Sequence, residues 1–307
     1  MIAKISVVIP TNNRPSELQR AIKSLKNQTV YPAQIIVIDD GSRVKLTRDI
    51  FKNVSEKIEC LLFYNSKPKG PGFSRNLGIK KSTSEWVAFL DDDDEFYPEK
   101  IEYISSEIDS ETEADLIYHP ATVKMDNESL EYKTTTSKRK EGKIYNQLLA
   151  KNIIGGTPMV TVKKESIISA GLFDEKLKSL EDYEMWIRLS KTGTRFRLIN
   201  KPLTKCHSVT QKESVSKSLK NHNASIKAIE QKYIDDLMSL SKKEKIEHEK
   251  WKANMLVHKA LLNRQNKLAI LEQYSIVRKF PSGKSLLLLI IVLFGSDLTF
   301  RIKSWMS

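Results

Sequence analysis

The stretch "ISVVIPTNNRPSELQRAIKSLKNQTVYPAQIIVIDDGS", residues 5–42, has the pattern of a strand, a helix and a second strand. Its first and last apolar runs, 5–9 and 35–39, are short and rich in β-branched residues, which is typical of buried strands. Apolar residues at helical spacing and a proline at the first turn predict the helix between them: Pro15, Leu18, Ala21, Ile22 and Leu25. The segment therefore predicts a β-α-β unit.

The same alternation continues along the chain. Further strands are expected at 61–65 and 86–91, and further helices at 73–82 and 101–108. Nearly continuous apolar strands that alternate with helices are typical of a parallel sheet covered on both faces, so the sequence predicts an α/β fold. The second half predicts the following elements: strands at 114–119, 121–125 and 158–162, an exposed loop at 133–142, a helix from Glu181 and one long helix over 242–268.

Composition limits the compartment and the partners. The two cysteines, Cys60 and Cys206, lie far apart and in no metal-ligand spacing, which indicates a reducing compartment such as the cytoplasm. The net charge of +13 is uneven: residues 1–200 carry 31 Lys and Arg against 29 Asp and Glu, whereas residues 201–307 carry 20 against 9. We therefore expect the last third to face an anionic membrane surface or nucleic acid.

Polar clusters follow three of the predicted strands. They are "PTNNR" (10–14), "DDGS" (39–42) and the four consecutive aspartates 91–94. Ligands of parallel α/β sheets bind outside the carboxyl ends of the strands, so we expect these clusters to converge. Two like charges about 4 Å apart repel by roughly 4 kcal/mol at an effective dielectric near 20. The aspartates therefore form either a solvated acidic loop or a site for a divalent metal.

Four segments in this order resemble the motif series of inverting family 2 glycosyltransferases, which have the GT-A fold: "VVIPTNNR" (7–14), "IIVIDDGS" (35–42), "GPGFSRNLGI" (70–79) and "FLDDDDEF" (89–96). The resemblance covers residues 4–208. It implies that Asp91 and Asp93 form the DxD motif, with Asp92 at its variable position. This motif holds Mg²⁺ or Mn²⁺ against the diphosphate of a nucleotide sugar, and hard oxygen ligands suit both ions.

The resemblance also implies a set of donor-binding residues. One of Asp39 and Asp40 is expected to accept a hydrogen bond from the nucleotide base, often uracil, although an acidic turn before Gly41 is the plainer alternative. Arg75 supplies a planar donor fork, and the glycines around it let the backbone approach a phosphate. The complete predicted set for the nucleotide sugar is Pro10, Thr11, Asn13, Arg14, Asp39, Asp40, Gly72, Arg75, Asn76, Asp91 and Asp92.

Inverting transfer needs a base for the acceptor hydroxyl, and a carboxylate suits that work. The segment "FDEKLKSLEDYEMWIRLSKTG" (173–193) resembles the family's second-half motif, in which an acid pair opens a helix. The resemblance implies that Glu181 and Asp182 are this pair and that Asp182 is the general base. Stabilisation of a helix N-terminus is the structural alternative. His207 lies in a segment that resembles a family segment just past the catalytic core. The resemblance implies contact with the metal or the diphosphate, and an ordinary surface histidine is the alternative.

The run "LLLLIIVLF" (286–294) contains nine apolar residues, well short of the about 20 that span a bilayer. Cations and aromatic residues flank it: Arg278, Lys279, Lys284, Phe300, Arg301, Lys303 and Trp305. This pattern favours a segment that lies on an anionic membrane surface, with a buried core helix as the alternative. No zinc-finger, homeodomain or RNA-recognition signature is present, so nucleic acid is not an expected partner.

These inferences predict a GT-A catalytic domain over 1–210 and a basic helical region over 211–307. The domain would divide into a nucleotide-sugar-binding half (1–115) and an acceptor-binding half (116–210), and the membrane-surface segment would cover 278–307. The expected enzyme is a metal-dependent inverting glycosyltransferase of surface polysaccharide biosynthesis at the inner face of the cytoplasmic membrane. It would use a UDP-sugar and a glycan or lipid-linked acceptor. The alternatives are a sugar-phosphate nucleotidyltransferase, although "PTNNRP" replaces its glycine-rich loop, and a non-catalytic nucleotide-sugar-binding protein.

Overall fold

The computed structural model describes residues 1–110, 113–134, 141–210 and 218–305. Its strands are β1 Ile2–Thr11, β2 Tyr31–Asp39, β3 Glu59–Tyr64, β4 Trp86–Phe89, β5 Glu95–Phe96, β6 Leu116–Tyr118, β7 Ala121–Met125, β8 Leu130–Lys133, β9 Val160–Lys163, β10 Phe196–Leu198 and β11 Thr204–Ser208. Its α-helices in the first 200 residues are α1 Pro15–Lys26, α2 Pro71–Lys81, α3 Lys100–Asp109, α4 Tyr145–Ala150, α5 Lys164–Ser169 and α6 Glu181–Lys191. The C-terminal helices are α7 Leu219–Lys232, α8 Ile234–Ser239, α9 Lys242–Leu262, α10 Asn266–Lys279, α11 Gly283–Leu293 and α12 Gly295–Trp305.

The central sheet has seven strands in the order β10-β6-β9-β4-β1-β2-β3. The pairs β1–β2, β1–β4, β2–β3 and β6–β10 are parallel, whereas β9 runs antiparallel to both β4 and β6. Thr11 lies opposite Asp39 in the β1–β2 register, so the polar residues that follow these two strands start at the same edge of the sheet. The predicted α/β fold with a mainly parallel sheet is confirmed.

The central strands bury residues on both faces, as their continuous apolar runs predict. In β1 and β2, Val8 and Ile36 pack in one hydrophobic cluster, while Val7 and Ile35 pack in another. Helix α2 packs closely on the first of these faces. A Cβ atom built on its Gly78 would lie 2.2 Å from Val8 Cγ1, so glycine is what lets this helix approach β1.

A second sheet, in the order β5-β11-β7-β8, flanks the carboxyl edge of the first. It carries Asp126 and His207, at the ends of β7 and β11. Its residues Met125 and Tyr132 share a hydrophobic cluster with Val257 and Leu261 of α9. The small sheet therefore packs directly against the C-terminal helices.

The C-terminal region differs from the sequence prediction in one respect. The single helix predicted over 242–268 is two helices, α9 and α10, with a break at Asn263–Gln265 where Arg264 has a φ of 57°. The side chains of Ser241 and Glu244 form a capping box at the start of α9. Most of the loop predicted at 133–142, namely 135–140, lies outside the described residues.

Candidate functional site

The carboxyl edge of the central sheet opens into a cleft of about 540 Å³. Ten of the residues predicted for substrate, metal or catalysis line it: Pro10, Thr11, Arg14, Asp40, Arg75, Asp91, Asp92, Asp93, Asp182 and His207. Asp40 follows β2, Asp93 follows β4 and Asp182 lies in the first turn of α6, so the three residues are far apart in sequence. All three line the same cavity, as expected if the polar clusters at the strand ends converge on one ligand site.

Three of the four consecutive aspartates contact arginines at the cleft wall, and Asp91 and Asp93 make the shortest of these contacts, since Asp92 lies 3.2 Å from Arg14. Asp91 Oδ1 lies 2.7 Å from Arg75 Nη2, and Asp93 Oδ2 lies 2.7 Å from Arg14 Nη1. The two aspartate side chains remain 33% and 38% exposed, so both are open to the cleft. Burial, together with the nearby Asp91 charge, raises the pKa of Asp93 above its usual range.

The alternate pair, Asp92 and Asp94, turns inward. Asp92 Oδ2 accepts a hydrogen bond of 2.7 Å from Thr11 Oγ1, and burial raises the pKa of Asp92 to about 6. Asp94 is buried and accepts a hydrogen bond of 2.9 Å from the backbone N–H of His207. Asp91 and Asp93 therefore face the cleft, whereas Asp92 and Asp94 bind neighbouring segments and hold the loop in place. Asp92 does both, because it also lines the cleft.

The acid pair Glu181–Asp182 opens α6, as the sequence predicts. Leu180, the N-cap residue of α6, has a left-handed backbone conformation with φ 59°. The helix therefore begins directly at Glu181, at the cleft. Glu181 Oε1 accepts a hydrogen bond of 2.9 Å from Arg75 Nη1, so Arg75 joins the acid pair to Asp91. Although burial opposes the charge of Arg75, the Asp91 and Glu181 carboxylates raise its pKa above the usual range.

Asp182 combines cleft exposure with a perturbed pKa. One oxygen, Oδ1, accepts a hydrogen bond of 2.6 Å from the backbone N–H of Tyr183, while Oδ2 faces Gly156 of the loop before β9. Burial, followed by the charge of Glu181, raises the pKa of Asp182 to about 7. A carboxylate with such a pKa is suited to accept a proton near neutral pH.

The two aspartates at the end of β2 bind backbone groups. Asp39 accepts a hydrogen bond of 2.9 Å from the Ser42 N–H. Asp40, which lines the cleft, accepts from the N–H groups of Lys69 and Gly70 at 2.7–3.1 Å and from Asn65 Nδ2 at 2.6 Å. Both carboxylates thus order loops around the cleft, and only Asp40 reaches its wall.

Three further residues of the predicted donor-binding set do not line the cleft. Asn76 is buried and exchanges hydrogen bonds of 2.8–2.9 Å with the backbone of Phe173. Asn13, with φ 55°, bonds to Ser42 and Arg43 and so fixes the loop after β1. Gly72 packs in α2 against Phe173 and Glu181. The contacts of these three residues are with neighbouring protein segments, and their predicted part in donor binding stays a prediction.

His207 lines the cleft but is held by two carboxylates. Its Nδ1 lies 3.0 Å from Asp126 and its Nε2 lies 2.7 Å from Glu95 Oε1. Within the described residues, three or more potential metal ligands converge only at Glu230, His248 and Glu249, in the C-terminal helices. The expected contribution of His207 to a metal site therefore gains no support from the geometry, because both ring nitrogens are already engaged.

Three residues that line the cleft were not predicted from the sequence. Arg20 Nη2, on α1, donates to the backbone oxygen of Asp93 at 2.6 Å. Asp126 reaches the cleft from β7, and Lys259 reaches it from the last turn of α9. The charge and the helical position of Arg20 are visible in the sequence. The approach of Lys259 depends on how α9 packs against the rest of the chain.

The C-terminal apolar run forms α11 and is largely exposed. Leu287, Ile290 and Phe294 are 54%, 47% and 69% exposed, whereas the buried residues of α11 are Ser285 and Val292. This arrangement is not the buried core helix considered as an alternative. Across the described part of the chain, the helices are too short or too polar to cross a membrane.

The comparisons with known proteins agree with this fold. The model of the family "Glycosyl transferase family 2" matches residues 6–170. A Haemophilus influenzae protein named "Uncharacterized glycosyltransferase" is 31% identical over 302 residues, which cover 97% of this chain and 98% of that protein. A Campylobacter jejuni protein named "GalNAc(5)-diNAcBac-PP-undecaprenol beta-1,3-glucosyltransferase" is 41% identical over 95 residues, 30% of each chain.

Among solved structures, that of S. aureus TarS 1–349 in complex with UDP-GlcNAc is similar with a TM-score of 0.58 and 16% identity. The similarity covers 98% of this chain and 90% of that chain. It supports the GT-A fold with a helical C-terminal region. The chain belongs to glycosyltransferase family 2, and it is a glycosyltransferase.

Proposed function

We propose that the protein is a metal-dependent inverting glycosyltransferase that uses a nucleotide-diphosphate sugar, with a UDP-sugar as the donor. The observation that carries the proposal is the shared cleft of Asp40, Asp91, Asp93 and Asp182 at the carboxyl edge of the sheet. The bound UDP-GlcNAc of the structural relative supports a uridine donor. The name of the Campylobacter relative supports a lipid-linked saccharide acceptor.

Asp91 and Asp93 are the residues that would hold Mg²⁺ or Mn²⁺. Both present partly exposed carboxylates to the cleft, and these are hard oxygen ligands of the kind that such ions prefer. Two carboxylates with diphosphate oxygens and water form a common ligand set for Mg²⁺. When bound, the metal would neutralise charge on the departing diphosphate. His207 stays a weaker candidate ligand, since it would first have to leave Glu95 or Asp126.

Asp182 is the proposed base. As the acceptor oxygen forms its bond to the anomeric carbon of the donor sugar, Asp182 takes the hydroxyl proton, and the bond between that carbon and the diphosphate oxygen breaks. The nucleoside diphosphate leaves from the opposite face, so the configuration inverts. The raised pKa of Asp182 suits this proton transfer, and Arg75 orients the acid pair through Glu181.

Two variants test this assignment. Asp182→Asn is expected to reduce transfer by about 10²-fold or more while nucleotide affinity stays close to that of the wild type. Asp93→Ala is expected to lose Mn²⁺-dependent UDP binding, measured by calorimetry with and without the ion. Asp109→Asn, at the exposed end of α3, is the matched control. Near-normal turnover of Asp182→Asn would show that another group is the base.

A donor screen separates the proposal from its two rivals. Release of UDP from one member of a UDP-sugar panel, with transfer to a saccharide acceptor, supports glycosyl transfer. Formation of a nucleotide sugar from a sugar phosphate and a nucleoside triphosphate would instead indicate nucleotidyl transfer. Binding of a UDP-sugar without turnover on any acceptor would favour the non-catalytic alternative.

We also propose that α11 and the start of α12 attach the enzyme to an anionic membrane surface, at the cytoplasmic face where surface polysaccharides are assembled. The exposed apolar residues recur at helical spacing along one side of α11 and at the residue that caps it: Leu286, Leu287, Ile290, Leu293 and Phe294. Exposed cations lie on both sides of this run, among them Lys279, Lys284 and Arg301. Apolar side chains beside cations fit acyl chains beside anionic headgroups.

Vesicle sedimentation tests this attachment. We expect the full chain to sediment with vesicles that contain about 30% phosphatidylglycerol, and to bind less to pure phosphatidylcholine or in high salt. Leu287→Glu with Ile290→Glu is expected to abolish binding. Met238→Glu, which changes an exposed apolar residue of α8, is the control and should bind as the wild type does. Equal binding of the double variant would refute the assignment of this surface.

A further inference from the structure

The loop before α6 brings a lysine to the cleft wall. Lys178 is exposed and lines the cleft together with the four residues that follow it, 179–182. The backbone on both sides of Lys178 is anchored, because Leu177 and Leu180 pack against the large hydrophobic cluster and Ser179 is buried. The side chain of Lys178 therefore starts from a well-packed position at the cleft, while its end reaches solvent.

The three arginines of the cleft wall already contact protein groups. Arg14 and Arg75 each contact two carboxylates. Arg20 donates to the backbone oxygen of Asp93 at 2.6 Å. Lys178 differs from them, because no group of residues 1–110, 113–134, 141–210 and 218–305 lies within hydrogen-bond or ion-pair distance of its ammonium.

The charges of the cleft explain why such a lysine matters. Carboxylates outnumber the lysine and arginine side chains on the wall by eight to five, so a diphosphate would meet a net negative surface. An ammonium without a carboxylate partner keeps its whole charge for a substrate anion. Lysine binds phosphate oxygens as a compact point charge, with strong charge-assisted hydrogen bonds. The ligand group that suits Lys178 is therefore a phosphate.

The position of Lys178 favours the phosphates of the donor. Glu181 lies three residues after Lys178, and the Arg75 guanidinium joins Glu181 to Asp91 by contacts of 2.9 and 2.7 Å. The loop that carries Lys178 therefore meets the cleft beside Asp91, one of the two residues proposed to hold the metal against the diphosphate. The flexible four-carbon stem of lysine lets the ammonium turn from solvent onto phosphate oxygens there.

We propose that Lys178 binds the donor diphosphate and neutralises part of its charge as it leaves. This inference rests on the proposed use of a nucleotide-diphosphate sugar, and it adds a binding residue from outside the segment that the family model matches. The loop before α6 then has two functions. It starts the helix that carries the proposed base, and it supplies a cation to the leaving group.

Two other roles of Lys178 differ from this one in what they would change. A diphosphate contact affects the affinity for UDP but not that for uridine, which has no phosphate. A lysine that recognises only the acceptor changes the KM for the acceptor and leaves the UDP affinity unchanged. A lysine that acts only through the charge of Asp182 shifts the pH profile of transfer, and it also leaves the UDP affinity unchanged.

The experiment compares UDP and uridine binding by the full chain in the presence of Mn²⁺, measured by calorimetry. Lys178→Met is expected to weaken UDP binding by about threefold to tenfold, between the effects of losing an exposed ion pair and a buried hydrogen bond to a charged group, with uridine affinity unchanged. Lys178→Arg keeps the charge and is expected to recover most of the loss. Lys176→Met is the matched control, since Lys176 is an exposed lysine of the same loop that does not line the cleft.

Three results would overturn the inference. One is unchanged UDP affinity of Lys178→Met, whether or not the acceptor KM or the pH profile moves. Another is an equal loss of UDP and uridine affinity, which would indicate a distorted pocket. The third is an equal loss of UDP affinity in Lys176→Met, which would indicate a general effect of charge near the cleft and no contact. If Lys178→Met does not fold, Lys178→Gln serves in its place. A wild-type chain that binds none of UDP, GDP and dTDP would instead overturn the proposed function itself, and the inference with it.

Discussion

Arg75 Nη2 lies 2.7 Å from Asp91 Oδ1, and the other terminal nitrogen of the same guanidinium lies 2.9 Å from Glu181. A single buried arginine thus connects the end of β4 to the start of α6, which are distant in sequence. Its side chain is only 6% exposed, so water cannot easily replace either contact. The spacing between the predicted metal-binding residues and the predicted base depends on this one side chain.

Arg75→Met should therefore destabilise the fold. Removing it leaves the Glu181 and Asp91 charges without their partner, and breaking a buried ion pair in this way typically costs about 3–5 kcal/mol. Because Asp91 is partly exposed, we expect about 3 kcal/mol, measured as the change in unfolding free energy in urea. Arg195→Met, which breaks the exposed pair with Glu113, is the control and should cost less than about 1 kcal/mol. Equal losses for both variants would contradict the linking role.

The rate of transfer should depend on the protonation of Asp182. Since burial and the Glu181 charge raise its pKa to about 7, kcat/KM is expected to fall as the pH drops below about 7. Glu181→Gln removes the second of these causes, so the midpoint of the acidic limb should move to lower pH. A pH–rate profile of both proteins measures this. A midpoint that stays in place, or moves upward, would argue against Asp182 as the titrating base.

The same carboxylate should make the protein less stable as the pH rises. The folded pKa of Asp182 lies above the value of about 3.9 in an unfolded chain, so the folded state binds more protons between about pH 4 and 7. The contribution of Asp182 to the free energy of unfolding is therefore fully present below about pH 4, and it is lost as the pH rises to about 7 and the folded-state carboxyl ionises. Asp182→Asn is therefore expected to raise Tm at pH 8, by about 2–4 °C for each kcal/mol gained, with a smaller effect at pH 4. A lower Tm of this variant at pH 8 would contradict the assignment.

Gly78 should tolerate no side chain while Val8 is present. A Cβ atom there would lie 2.2 Å from Val8 Cγ1, and overpacking of this kind costs about 1–3 kcal/mol. In the double variant Gly78→Ala with Val8→Ala, the loss should be smaller than the sum of the single losses. Gly283→Ala is the control, because nothing lies within 4 Å of the added atom. Strict additivity of the two changes would show that the contact is not the cause.

The fold and much of the cleft follow from local patterns. The apolar runs of β1, β2 and β4 predicted a covered parallel sheet, and the polar residues after them predicted where a ligand would bind. The start of α6 at Glu181 was also predicted correctly. These features could be inferred because each depends on residues that are close in sequence.

The remaining features depend on packing between distant elements. The break between α9 and α10 at Asn263–Gln265 contains no glycine or proline, so the sequence has no clear helix-breaking residue there. One of Asp39 and Asp40 was expected to bind the nucleotide base, and the hydrogen bonds that the Asp40 carboxylate accepts from the Lys69 and Gly70 N–H groups could not be predicted, because the loop before α2 sets the position of those groups. The arrival of Lys259 in the cleft requires the whole C-terminal arrangement. Local periodicity carries no information about such contacts.

The shared cluster between the small sheet and α9 has a consequence for chimeric enzymes. The segment that the family model matches ends at residue 170, but Asp182, His207 and Lys259 of the cleft wall all come after it. A hybrid that exchanges only the first 170 residues with those of a homologue would replace 15 of the 24 residues that line the cleft and keep the other nine. For recombination between relatives, the smallest exchangeable module is the chain through the end of α9.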